Sequence, residues 1–157
     1  MEIRRIDVYA VRYHHASGPF VMSGGRVSTE QDGTVVRLET DDGLVGWGEG
    51  KNAAGSAGTY GALVHMLNHE IAPQLIGQHA GDIGVIWEML YNGVRHETAA
   101  AAGHAMPQLA RRGLSIAAIS AVDIALWDIF GKSLGKPVWQ LLGGRKLERM
   151  PAYASGG

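Results

Sequence analysis

The sequence predicts an α+β domain, a three-stranded antiparallel meander followed by helices. Three observations predict it. Residues 2–49 hold three runs of alternating character, two of them joined by Asp42-Gly43. Residues 115–134 form a long apolar run free of strong breakers and stopped by Gly135. Strand patterns come first and helix patterns after, which is the order of an α+β chain rather than of repeated βαβ units.

Residues 2–13 (EIRRIDVYAVRY) read as the first strand. Ile6, Val8 and Ala10 share one face, and Arg5, Asp7 and Tyr9 the other. Residues 14–25 (HHASGPFVMSGG) carry Gly18-Pro19 and Gly24-Gly25 and read as a loop. Its middle, Phe20, Val21 and Met22, is apolar enough to tuck under the loop or close over something. Residues 34–40 and 44–49 are the second and third strands, and Asp42-Gly43 is their hairpin turn. Residues 50–58 (GKNAAGSAG) form a second loop.

The helices follow. Thr59 can cap one with Tyr60, Leu63, Val64, Leu67 and Ile71 on a single face, ended by Pro73. Asp82 can cap another bearing Ile83, Ile86, Trp87, Leu90 and Val94. Residues 98–109 are ambiguous, alanine-rich yet interrupted by Gly103 and Pro107. The run 115–134 has one stripe of Ile116, Ile119, Leu126 and Phe130 and another of Ala118, Val122, Ala125 and Ile129. A helix apolar all round is buried or spans a membrane. Asp123 and Asp128 argue against a bilayer, so the expectation is a fully packed central helix. Pro137 opens a short helical turn closed by Gly143-Gly144. Residues 150–153 (MPAY) look like a new strand. It either returns to the meander or opens a second domain.

Composition narrows the function classes. The chain has 157 residues, a net charge of −1 and no cysteine. Disulfides, thiolate metal sites and cysteine nucleophiles are therefore excluded. No basic block suggests nucleic acid, and no apolar run follows a basic start as a secretory signal would. A cytoplasmic protein with neither nucleic-acid nor membrane partners is the expectation.

Few residues suggest chemistry. Gly43, Gly46, Gly48 and Gly50 with Lys51 resemble a phosphate loop only loosely: the spacing is wrong, Asn52 replaces the hydroxyl residue and no helix follows at once. His65 and His69 share a helix face, but Met66 breaks the zinc-protease pattern, so solvated histidines are expected. His14 or His15 could face a substrate. Asp123 falls on an apolar stripe and needs partners if buried. A tie to backbone N–H groups or to Arg111 or Arg112 is the favoured reading, ahead of a general base or metal ligand. Asp128 and Lys132 are spaced to pair. Glu49 is read as an exposed or loop-tethering carboxylate.

The run AISAVDIALWDIFGKSLGKPVWQLLGG, the hairpin VRLETDDGLVGWGEG and the segment HEIAPQLIGQ resemble, in this order, the amino-terminal capping domain of the enolase superfamily. The likeness is to the mandelate racemase and muconate lactonizing enzyme group, in its sugar-acid or lactone branch. It implies a capping domain, the meander with a helical bundle, over residues 1–147 and, over 148–157, the first strand of a truncated, modified β/α barrel. It implies a magnesium-dependent lyase or isomerase that removes the proton α to a carboxylate: a sugar-acid dehydratase, racemase or lactone cycloisomerase, homo-oligomeric when full length. Magnesium would be held by three acidic barrel residues, with catalytic lysine or histidine also on barrel strands, all expected beyond Gly157. No catalytic residue or metal ligand is assigned within the chain, and this stretch alone is expected to be inactive. Two cap loops, residues 17–26 and 51–60, would shape specificity. Phe20, Met22, Arg26, Lys51 and Asn52 are the candidate substrate contacts, with Ser155 at the end of the first barrel strand. The competing reading is a stand-alone, non-catalytic binding or interaction domain.

Overall fold

The computed structural model describes residues 1–21, 25, 27–51, 59–93, 101–103, 112–144 and 148–153. The main sheet has three antiparallel strands in the order β1 (Ile3–His14), β4 (Glu30–Thr40) and β5 (Val45–Gly50). Between β1 and β4 the chain makes a small antiparallel pair, β2 (Phe20–Val21) and β3 (Val27–Ser28). The meander is therefore as predicted, but the stretch read as a plain loop contains paired strand. Val21 and Val27 suit extended backbone, and Gly25, at φ 74°, takes a left-handed conformation between them.

Register decides which face of the sheet is buried. Val8 stands opposite Val36, and Ile6 opposite Leu38. Their side chains point inward, and Val36 and Leu38 are fully buried. Asp7, Arg37 and Trp47 form a row on the outer face. There Arg37 pairs with Asp7 at 3.1 Å and Glu39 at 2.8 Å. Tyr9 stacks on Trp47 with ring centroids 6.0 Å apart.

The helices cover the inner face. α1 (Thr59–Met66) runs into a π-helical turn (Leu67–Ile71) and then α2 (Ala72–Leu75). Pro73 does not end the helix as predicted. It has no N–H to donate, and its ring crowds the carbonyl four residues back. The wider turn absorbs this: the Ala72 N–H reaches Leu67 O, five residues back, and the Gln74 side chain donates to Glu70 O at 2.5 Å. α3 (Ile83–Asn92) buries Ile83, Ile86 and Leu90 as expected, but Trp87, expected on the same face, is exposed and stacks on Tyr91. Its Asp82 makes no side-chain cap. The Asp82 carboxylate instead lies 3.8 Å from His79. Val94 and most of residues 98–109 lie outside the described residues.

α4 (Leu114–Leu134) is the central helix, and Gly135 closes it at φ 62°. Lys136 N–H bonds Gly131 O, and Gly135 N–H bonds Lys132 O, a Schellman ending. By length and composition α4 could cross a membrane. In this fold it supplies the core: Ala118, Ile119, Ala121, Val122, Ala125, Leu126 and Ile129 are buried. It is not packed on all sides, however. Ile124 is 48% exposed and Leu134 is 50% exposed. α5 (Val138–Leu141) follows Pro137. Residues 150–153, expected as a strand, form none, and Tyr153 is 90% exposed. An extended segment becomes a strand only by hydrogen-bonding a neighbour, and among the described residues no strand pairs with this segment.

The outer edges of the sheet are covered in part, in two ways. Along β1, Ile3 N–H donates to Gln78 O, and Gly77 N–H donates to Ile3 O, both at 2.9 Å. Along β5, α4 supplies side chains. Trp47 N–H donates to Asp128 Oδ2 at 2.9 Å, and Lys132 Nζ donates to Val45 O at 2.8 Å. Asp128 and Lys132 also pair with each other at 2.6 Å, as their spacing predicted. An open strand edge invites intermolecular pairing, and this ion pair occupies part of it.

Candidate functional site

Of the glycines that resembled a phosphate loop, Gly43 makes the hairpin turn at φ 84°, and Gly46, Gly48 and Gly50 have a packing role. β5 alternates inward Gly46, Gly48 and Gly50 with outward Trp47 and Glu49. α4 crosses them with Ala117, Ala121 and Ala125. A Cβ on Gly46 would stand 2.1 Å from Ala125 O, on Gly48 1.9 Å from Ala121 O, and on Gly50 2.6 Å from Ala117 O. Strand and helix backbones thus meet directly, which only glycine permits.

This crossing sends the end of β5 and Lys51 to one end of the sheet. The same end holds the finish of β1, the start of β4 and the start of α1. The two predicted specificity loops are attached here. Of the candidate contacts, Lys51 is exposed. The side chain of Phe20 and residues Met22, Arg26, Asn52 and Ser155 lie outside what the structure describes.

A polar cluster joins these elements. Arg12 Nε donates to Asp32 Oδ1 at 2.8 Å, and another guanidinium nitrogen lies 3.6 Å from Glu30. Its third contact is the Tyr60 hydroxyl at 3.3 Å, with the guanidinium carbon 5.3 Å from that ring's centroid. His14 Nδ1 lies 3.7 Å from Glu30. The Asp32 hydrogen bond, then the charges of Asp32 and Glu30, hold the Arg12 guanidinium above its ordinary pKa. Arg12 therefore ties β1 and β4 to the first turn of α1, fixing the distance between the bases of the two loops. Sequence reasoning missed it, because Arg12 meets Asp32 only through the cross-strand register.

Asp123 departs from its favoured reading. Among the described residues it has no hydrogen bond and no ion pair, neither to a backbone N–H nor to Arg112. Arg111 lies outside the described residues. Asp123 is half-buried, and desolvation raises its pKa above the usual carboxylate range. It lies on the outward stripe of α4 with Ile124 and Trp127, and Trp127 meets Phe130 edge-on at 6.0 Å. The structural tie that sequence assigned to Asp123 is made by Asp128.

Magnesium finds no matching donor set here. Among the described residues, no group of three or more His, Asp or Glu side chains could hold a metal ion. The Arg12 cluster already spends its carboxylates on a cation, and Asp123 has no second carboxylate beside it. No catalytic step is therefore built on a metal held by these residues. His65 and His69 are exposed, as expected.

Fold and site together define an α+β scaffold domain that brings the bases of two loops to one end of its sheet. Residues 5–143 match the family described as mandelate racemase / muconate lactonizing enzyme, N-terminal domain. The chain belongs to this family, within the enolase superfamily. It is 36% identical over 152 residues to the N-succinyl-L-Arg/Lys racemase of Bacillus cereus, covering 96% of this chain and 36% of that one. It is 38% identical over 143 residues to the D-galactarolactone cycloisomerase of Agrobacterium fabrum, covering 91% of this chain and 32% of that one. A mandelate racemase/muconate lactonizing enzyme-type structure from Roseovarius nubinhibens ISM, complexed with magnesium, superposes with a TM-score of 0.73. That match has 30% identity over 100% of this chain and 38% of the other. The chain thus spans about a third of the length of the curated relatives it matches.

Proposed function

We propose that this domain caps a β/α-barrel catalytic domain in an enzyme that removes the proton α to a carboxylate. The reaction class is that of a sugar-acid dehydratase, a racemase or a lactone cycloisomerase. In this reading the domain comprises residues 1–147, and residues 148–157 lead into the barrel. Catalytic groups and magnesium belong to the barrel. The cap contributes Phe20, Met22, Arg26, Lys51 and Asn52 from its loops, and Ser155 lies at the first barrel strand. Their task is to contact the substrate and exclude water; the substrate is a small carboxylate such as a sugar acid, and the complete enzyme a homo-oligomer.

The observation that carries this reading is the outward face of α4. Ile124, Trp127 and Asp123 stand there incompletely covered, with Asp123 already partly desolvated and without a partner among the described residues. An exposed Ile124 and a half-buried Trp127 beside a partly desolvated carboxylate suit an interdomain surface that supplies a hydrogen-bond donor.

The test joins this chain to the barrel segment of the Bacillus cereus racemase in place of that enzyme's own first third. Carbodiimide labelling is then compared between the fusion and the isolated chain. Asp123 should become protected in the fusion while the exposed Asp82 stays reactive. Equal labelling of Asp123 in both, in a fusion that melts cooperatively, would refute the docking face.

A further inference from the structure

We propose that His65 and His69 form a two-point site for a divalent transition-metal ion of the zinc, nickel or copper class. It is separate from the magnesium chemistry of the family and independent of the capping role. His65 lies in the last turn of α1, and His69 lies in the π-helical turn that follows. Both are exposed, and their ring centroids are 4.4 Å apart with planes at 40°.

The geometry suits chelation. Imidazole nitrogens bind zinc at about 2.1 Å, so two of them on one tetrahedral ion stand about 3.5 Å apart, a span that rings this close can reach with small rotations. The backbone fixes the pair. Leu67 and Ile71, on the opposite face of the same segment, are buried in the core. The π turn that Pro73 imposes holds His69 one turn beyond His65, and π turns recur at functional sites. Imidazole selects zinc, nickel and copper, whereas magnesium takes oxygen ligands. Water completes the shell, so the site is open and exchangeable. A bound ion would clamp the end of α1 to the π turn and stabilise the folded state by an amount that rises with the logarithm of the free-ion concentration once this exceeds the dissociation constant.

Titration calorimetry of the 157-residue chain with Zn2+ tests this, with Mg2+ as the comparison ion. One ion should bind saturably, and Mg2+ should give no comparable isotherm. His65→Gln and His69→Gln should each weaken binding at least about tenfold, because either change removes the chelate. His14→Gln should leave binding unchanged. Histidine-ring NMR should show both imidazoles shifting together on titration, and acidification should release the ion, since ligating imidazoles must be deprotonated. Absence of saturable Zn2+ binding would overturn the proposal. So would binding that survives both single substitutions, or that only His14→Gln removes. The substituted side chains are exposed, and far-UV circular dichroism checks that each variant folds.

Discussion

Gly48 lies against Ala121 so closely that a single added methyl group would stand 1.9 Å from the Ala121 carbonyl oxygen. β5 and α4 are therefore joined backbone to backbone, and the orientation of the central helix depends on a hydrogen atom at this position. Gly48→Ala should destabilise the domain by about 3 kcal/mol or more, the upper range for overpacking. Gly61→Ala is the contrasting change. Nothing lies within 4 Å of its Cβ position, and it sits inside α1. It should stabilise by about 0.5–1 kcal/mol through helix propensity. Urea melts of both variants check the pair of signs.

Asp128 holds the outer edge of β5 through the Trp47 amide and through Lys132. Asp128→Ala should cost about 1–3 kcal/mol, the range for a charged hydrogen bond whose partner is left unmade. Hydrogen exchange should locate the loss, with the Trp47 amide exchanging faster than those paired between β1 and β4. An unchanged Trp47 amide would contradict the edge contact.

Asp123 gives a pH dependence of definite sign. Desolvation raises its pKa in the folded state, so the folded chain binds this proton more tightly than the unfolded chain does. Between the unfolded and folded pKa values the folded state holds more protons, and stability falls as pH rises. The penalty is absent below the ordinary Asp range and complete above the raised value. Asp123→Asn should therefore be more stable than the parent at neutral pH, with the difference vanishing on acidification. An Asp123→Asn variant less stable than the parent at neutral pH, with that deficit lost on acidification, would mean that Asp123 is held by a favourable charge contact instead.

The loop contacts make a kinetic prediction. In the racemase fusion, Lys51→Ala and Arg26→Ala should lower kcat/KM by about tenfold or more, the scale of one lost charged contact. Lys51→Ala should leave the melting temperature within about 1 °C, since Lys51 is exposed and such substitutions cost little. A variant that melts early while keeping its kinetics would assign the residue to structure.

Much of this was legible in the sequence because alternation and helical periodicity are local. Asp42-Gly43, Gly135 and the Asp128–Lys132 spacing each act within a few residues, and each fell where predicted. What escaped depended on distant partners. The β2–β3 pair lies within a glycine-rich stretch whose pairing no local pattern marks. Pro73 signals a stop, but a π turn can absorb it when Leu67 and Ile71 are worth burying. Arg12 finds Asp32 and Tyr60 through strand register and helix placement. The two aspartates of α4 were separated only by rotation about the helix: Asp128 faces the edge of β5, and Asp123 faces outward. The family motif was specific enough to name the domain, while the residues proposed to touch substrate lie mostly outside those described.

The capping role is tested most directly by α-proton exchange in D2O with Mg2+. The measurement compares this chain alone with its fusion to the racemase barrel, on N-succinylarginine and on sugar-acid substrates. The chain alone should incorporate no deuterium and show no specific Mg2+ binding, and the fusion should exchange the α-proton of at least one substrate. Exchange by the isolated chain, or specific Mg2+ binding that Asp123→Asn abolishes, would contradict it.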